Sequence, residues 1–233
     1  MKIKTLYGIF LGLACVLAAA SCNKESDPVN PTGNSYGNIV SVAARGEEGA
    51  TFTFRQMNDS PEITLTTRQV FQDAQVKVGS RIFIDYIPES GQEFESGAVY
   101  VKSYQRCYGP EIKTAATSNP SEWGSAGFTL LRAWRSGRWL NLWIMAEMGT
   151  APRRFEMLLN PASENSSEPE LHIVYSPDVQ NSGFNLPAYG SFNIASLWDR
   201  SDVTGLTIKY FDQHGMEQTV HLSKGPSSLT PVE

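Results

Sequence analysis

The sequence predicts an all-β protein, a five-stranded barrel followed by an antiparallel β-sandwich. Short segments that alternate apolar and polar residues recur from residue 37 to residue 222. Clusters of Gly, Pro, Asn, Asp and Ser punctuate them. Aromatic residues make up 11% of the chain and charged residues only 18%, a balance that suits β structure in an exported protein better than a helical bundle. No helix longer than two turns is predicted. Residues 69–75 and 194–198 are candidates for single turns.

The barrel strands follow in order. Residues 37–45 carry Ile39, Val40 and Val42 and end at the turn Gly46-Glu47-Glu48-Gly49. Residues 51–55 alternate at period 2, with Phe52 and Phe54 on one face. Residues 62–67 alternate through Ile63 and Leu65. Residues 81–87 and 98–104 complete five strands over about 70 residues, the layout of a small barrel. Residues 108–126 break the pattern with Gly109-Pro110, Ser118-Asn119-Pro120-Ser121 and Gly124-Ser125. We place the domain boundary there, with residues 113–126 as linker; a long β–β crossover is the alternative.

The second half restarts with a strand at 128–134, a hairpin turn at Arg135-Ser136-Gly137-Arg138, and a strand at 139–145. Further strands are expected at 154–159, 170–175, 189–197, 203–211 and 217–222. About seven strands at this spacing predict a sandwich over residues 127–224, with a disordered tail from 225 to 233.

The N-terminus predicts location. Lys2 and Lys4 precede an apolar run from about Leu6 to Leu17, followed by Ala18-Ala19-Ala20-Ser21-Cys22. The run is shorter than the ~20 residues that span a bilayer, so residues 1–21 read as a removed signal. Small residues before a cysteine mark a lipoprotein signal. Diacylated Cys22 is then the lipid attachment site and the mature N-terminus. An ordinary secretory signal with an incidental Cys22 is the alternative. Residues 22–36 hold almost nothing to bury and read as a flexible tether. An outer-membrane lipoprotein is expected, periplasmic or surface-exposed.

Charge and cysteine content exclude some classes. Of the 19 basic residues, Lys2 and Lys4 leave with the signal, so 17 remain against 24 acidic ones. Such a chain repels phosphate backbones, and Arg132, Arg135 and Arg138 form the nearest basic cluster, which a strand pattern explains. Nucleic acid is not an expected partner. Of the three cysteines, Cys15 leaves with the signal and Cys22 carries lipid. Cys107 alone remains, so no intrachain disulfide forms, and it is expected as a buried small hydrophobe.

The order of these features resembles the NigD-like lipoproteins of Bacteroidota. The segments that carry the resemblance are Gly79-Ser80-Arg81-Ile82-Phe83-Ile84-Asp85-Tyr86, Gly137-Arg138-Trp139-Leu140-Asn141-Leu142 and Glu170-Leu171-His172. It covers essentially the whole mature chain and implies an OB-like barrel (37–112) followed by an Ig-like sandwich. The family has no established activity to carry over. Its name comes from a bacteriocin operon, which implies an accessory or immunity role and hence a protein partner. After His172 this chain continues as Ile173-Val174-Tyr175, where the family tends to have a polar turn.

No catalytic residue, cofactor or metal site is predicted. The chain has neither a His-Glu-x-x-His nor a Gly-x-Ser-x-Gly motif. His214 falls in a turn, while His172 and His221 alternate with apolar strand neighbours. The carboxylate pairs Glu47/Glu48, Glu93/Glu95 and Glu168/Glu170 fall in or beside loops, where solvated charge is the default. Binding has better material. Trp134, Trp139 and Trp143 lie on one predicted hairpin, where flat rings could stack on sugars and Asn141 or Arg138 could bond hydroxyls. Trp134, Trp139 and Asn141 are the candidate ligand contacts. The competing reading is sandwich core, since both faces of strand 139–145 carry apolar residues. The expectation is a non-catalytic envelope lipoprotein with an envelope or extracellular protein as partner; a glycan-binding surface lipoprotein is the alternative.

Overall fold

The computed structural model describes residues 32–109, 111–148, 154–177 and 184–225. The signal, Cys22, the tether up to residue 31 and the tail beyond 225 lie outside the described residues.

Five strands close a barrel: β1 (Tyr36–Gly46), β2 (Gly49–Arg55), β3 (Glu62–Thr67), β4 (Arg81–Pro88) and β5 (Gly97–Arg106). They run in the order β1-β2-β3-β5-β4, and β4 returns to β1. A register shift between Val42 and Ala44 bends β1, which allows one strand to pair with β2 at one end and β4 at the other. The alternation seen in sequence sends Phe52, Phe54, Leu65, Ile82, Ile84 and Tyr86 inward, where all are buried. Closure leaves the small barrel without free edges along most of its length.

The remaining strands form two sheets. One has the order β13-β12-β10-β9-β6 and the other β11-β8-β7, with β6 (Ile112–Thr114), β7 (Thr129–Ser136), β8 (Trp139–Met148), β9 (Arg154–Leu159), β10 (Glu170–Ser176), β11 (Phe184–Asn193), β12 (Gly205–Phe211) and β13 (Glu217–Ser223). Leu140, Leu142 and Ile144 of β8 face Met157, Leu171, Ile173 and Ile208 of the larger sheet across one core. The β7–β8 hairpin turns on Gly137 at φ 58°, the left-handed conformation that two-residue hairpin loops require. The OB-like closure and the two-sheet packing match the fold the sequence predicts.

The sheets depart from the expected pattern in particular places. The larger one is mixed, since β10 pairs parallel with β12 and β6 parallel with β9. Strand β6 lies inside the expected break at 108–126; three residues are too few to show a period. Two residues anchor the rest of that break. Trp123 and Ala115 bury against Leu158 and Val174 on the outer face of the larger sheet. Strand β11 begins at Phe184 rather than 189 and carries Pro187 inside it. The sheet order puts β11 at an edge, where a missing N–H costs no ladder bond. It stops at Asn193, whose side chain accepts from the Ala195 N–H at 3.1 Å and starts the short helix α1 (Ala195–Trp198). Residues 69–75 form no helix; Arg45 holds them by donating to the carbonyls of Phe71, Asp73 and Val76.

Candidate ligand-binding groove at the barrel–sandwich seam

Side chains on alternate positions of β4 point away from the barrel core. Arg81 and Phe83 are two of them, and they meet the outer face of the smaller sheet. That face is built from Trp139, Asn141 and Trp143 of β8 with Tyr189 and Ser191 of β11, which the register pairs as Ser191 with Asn141 and Tyr189 with Trp143. Phe83 stacks on Tyr189 with ring centroids 4.0 Å apart and planes 3° from parallel. The backbone continues the seam: Tyr108 N–H donates to Tyr189 O and Ser191 N–H to Tyr108 O, each at 2.8 Å.

Arg81 is the centre of the seam and is 7% exposed. Its Nε donates to Ser191 Oγ at 2.9 Å, its Nη1 to Ser41 Oγ at 2.8 Å, and its Nη2 to Asn141 Oδ1 at 3.1 Å and Ile39 O at 3.5 Å. Ser191 Oγ donates to the same Asn141 Oδ1 at 2.7 Å. The guanidinium also lies 4.8 Å from the Trp139 ring centroid. Burial lowers its pKa to about 10, with Arg138 adding to the effect, so it stays charged at neutral pH. Two of the segments that carry the family resemblance therefore meet in space: one supplies Arg81, the other Asn141.

A second clamp lies beside the first. Arg135 of β7 grips Asp59 with Nη1 at 2.8 Å and Nη2 at 2.5 Å. The bidentate hydrogen bonds hold the Asp59 carboxyl below its ordinary range. Asn58 N–H donates to Arg135 O at 2.7 Å, Gly137 N–H to Asn58 O at 2.6 Å, and Ser136 Oγ to Arg55 O at 2.8 Å.

Between the clamps opens a groove of about 880 Å³. Arg55, Arg81, Arg135, Arg138, Arg200 and Lys224 line it, against Asp59, Glu62 and Asp199. Four of these cations lie over aromatic rings, Arg81 among them. Arg138 lies 5.4 Å from the Trp139 centroid, and Arg135 and Lys224 lie 4.8 and 5.5 Å from that of Trp198. In a chain of net charge −5 this is a local reversal of sign. The sequence reading missed it because the six cations are spread from residue 55 to residue 224. Only Arg135 and Arg138 stand close together in sequence, and a strand pattern explains them.

The candidate contacts separate. Trp134 and Trp139 are half-buried, and Trp143 is 39% exposed. Asn141, named above as a hydroxyl-bonding contact, is wholly buried and its Oδ1 is occupied by Arg81 and Ser191. The apolar character of both faces of β8 has a simple cause: one face fills the sandwich core and the other meets the barrel. Cys107 is partly exposed as a residue, yet burial pushes its thiol pKa up to about 12 against the opposing pull of Arg81. A thiol at that value is a poor nucleophile at neutral pH.

His172 is enclosed, edge-on to Trp123 at 4.4 Å, with Nε2 2.7 Å from Glu170 Oε1. Burial of Glu170 works against its charge, but hydrogen bonds from Lys209, His172 and Asn160 prevail and hold its pKa at about 2. His214 and His221 are exposed. Among the described residues, no three His, Cys, Asp or Glu side chains cluster in a way that could hold a metal. The Glu170 arrangement yields a pH prediction. Its folded value lies below the ordinary 4.5, so its contribution is complete above about pH 4.5 and is lost as pH falls toward about 2. Urea melts across that window should show a decline in the native protein that Glu170→Gln flattens.

No protein-family model matches the sequence, and no curated protein is significantly similar to it. Solved structures share the fold. A protein of unknown function (DUF1344) from Bacteroides vulgatus superposes with a TM-score of 0.64 at 17% identity, over 85% of this chain and 95% of that one. A protein described as a lipoprotein, from Bacteroides fragilis, gives 0.58 at 8% identity over 84% and 100%. A NigD-like immunity protein from Bacteroides caccae gives 0.52 at 15% identity over 81% and 92%. The chain thus has the barrel-and-sandwich architecture of these Bacteroides proteins; at such identities the likeness is one of fold.

Proposed function

We propose that this protein is a non-catalytic lipoprotein of the cell envelope, held to the membrane through Cys22, that acts by binding another protein as an accessory or immunity factor. The observation that carries the proposal is the conjunction of the Leu17-Ala18-Ala19-Ala20-Ser21-Cys22 run with a fold shared with an immunity protein and a protein described as a lipoprotein. The chemistry of the site supports it. The histidine with a carboxylate partner is enclosed, and the remaining thiol is held protonated. Arg81, Asn141 and Ser191 join barrel to sandwich rather than forming a reactive centre.

The test is a pull-down of the full-length protein from intact cells, paired with external protease shaving. The proposal predicts one specific partner that rebinds the purified protein, and loss of membrane attachment in Cys22→Ala. A protein that comes down alone, or a Cys22→Ala variant that stays attached, would sink it.

The exposure of Trp143, stacked on Tyr189 at 6.1 Å, favours a second reading as a surface glycan binder. Trp143→Ala separates the two. A ring this exposed should cost less than about 1.5 kcal/mol when removed, well short of the ~3–5 kcal/mol of a core tryptophan. If a glycan array is positive and Trp143→Ala abolishes the signal while the thermal midpoint holds, the glycan reading stands.

A further inference from the structure

Arg81 is a buried cation without a counter-charge. Among the described residues, no carboxylate lies within ion-pair distance of it. Its partners are two serine hydroxyls, an amide oxygen and a carbonyl, all neutral. Charges this buried are ordinarily paired, because solvation lost on burial must be replaced. A guanidinium has five N–H donors. Four bonds account for four of them, and the fifth is on Nη1, the atom that bonds Ser41. Ser41 and Arg81 both line the groove.

Arg138 faces the same ring. It too lies on Trp139, and among the described residues its guanidinium makes no hydrogen bond and no ion pair. Its charge is close enough to lower the Arg81 pKa. Two like charges over one indole repel each other, and among the described residues no carboxylate pairs with either. Asn141, which bonds Arg81, is itself incompletely satisfied: with Oδ1 fixed by Arg81 and Ser191, its buried Nδ2 has no acceptor among the described residues. A lone cation-rich loop would carry no such signature. Here an uncompensated charge and an unpartnered arginine line one corner of one groove, and an orphaned amide is buried beside Arg81.

We propose that this corner of the groove is a binding site for the oxyanion group (carboxylate, sulfate or phosphate) of a small ligand, held between Arg81 and Arg138 beside Trp139. The planar guanidinium fork matches two oxygens of such a group. The groove volume of about 880 Å³ lies within the range of small-molecule sites. A neutral sugar has less to gain, since both cations already lie on the ring that it would stack on. A nucleic acid would approach a chain of net charge −5, which repels its phosphates. The site goes beyond the accessory role proposed above and does not depend on it.

Calorimetric titration of the full-length protein in detergent tests the site. The probes are inorganic sulfate, inorganic phosphate, glucuronate and glucose 6-phosphate, with glucose as the neutral control. Saturable binding of at least one anion is expected, weakened by added salt, with glucose inert. Arg138→Gln, at an exposed position, should lose at least tenfold in affinity, and Lys113→Gln, outside the groove, should lose nothing. Preference for glucuronate would point to a carboxylate ligand and preference for a phosphate to a phosphorylated one; both support the site. Because Arg81→Gln risks the fold, Arg81→Lys is the companion variant: it keeps the charge and is expected to weaken binding without abolishing it. Failure of all four anions to bind, equal affinity in Arg138→Gln, or glucose binding as well as glucuronate would overturn the proposal.

Discussion

Arg81→Ala is expected to destabilise the protein by about 2–4 kcal/mol, which for a chain of this size corresponds to a fall of roughly 10 °C in thermal midpoint. The loss comes from the partners left behind. Ser41 loses the Nη1 donor, Asn141 and Ser191 lose the guanidinium that tied them to the barrel, and Trp139 loses a cation from its ring. Asn141 is wholly buried, and its Oδ1 keeps only the Ser191 hydroxyl as donor. Removing the charge also removes its desolvation cost, which keeps the net below the sum of the bonds. The comparison that isolates the seam is Lys113→Ala, where an exposed ion pair with Glu156 is lost. Exposed pairs of this kind contribute ~0–1 kcal/mol. Urea denaturation measures both.

Gly109→Ala is expected to be at least as damaging, above about 3 kcal/mol, and to reduce the folded yield. Gly109 has φ +114°, and a Cβ there would come within 2.5 Å of the Ser191 carbonyl oxygen. Both obstacles are backbone, so no side chain can swing aside. The same residue follows Tyr108, whose N–H and C=O bond the backbone of β11. A shift large enough to fit the methyl would pull Tyr108 from Tyr189 and Ser191 and open the seam beside Arg81. Gly79→Ala is the control. It also has positive φ, at +87°, but meets nothing within 4 Å, so it should cost only the conformational strain of about 1 kcal/mol. The thermal midpoints of the two variants should therefore differ clearly.

Most of the fold was legible because most of the strands advertise a period. Phe52 and Phe54 in β2, or Leu171, Ile173 and Tyr175 in β10, repeat at two and all bury. The parts that were not legible lack that signal for physical reasons. Strand β6 is three residues long. The N-terminal half of β11 contains Pro187, which argues against a strand unless the sheet order is known. Parallel pairing of β10 with β12 is a long-range choice that neither strand records. The candidate site was harder still. Alternation along β8 puts Trp139 and Asn141 on one strand face. That face meets β4 of the barrel, and Arg81 reaches Asn141 across 60 residues of sequence. Buried positions of polar residues such as Arg81, Asn141 and Ser191 cannot be read from their own segments, since each sits where alternation assigns an outward side chain. It is the presence of a second body that buries them.

That second body makes the seam, not either half alone, the basis of the groove and of any partner surface built around it. A double-mutant cycle between Arg81→Ala and Asn141→Ala, read by urea denaturation of the full-length protein, tests this most directly. One cooperative transition is expected for barrel and sandwich together, with a coupling energy of about 1–2 kcal/mol between the two residues. Additive losses, or two separate transitions in the native protein, would contradict it.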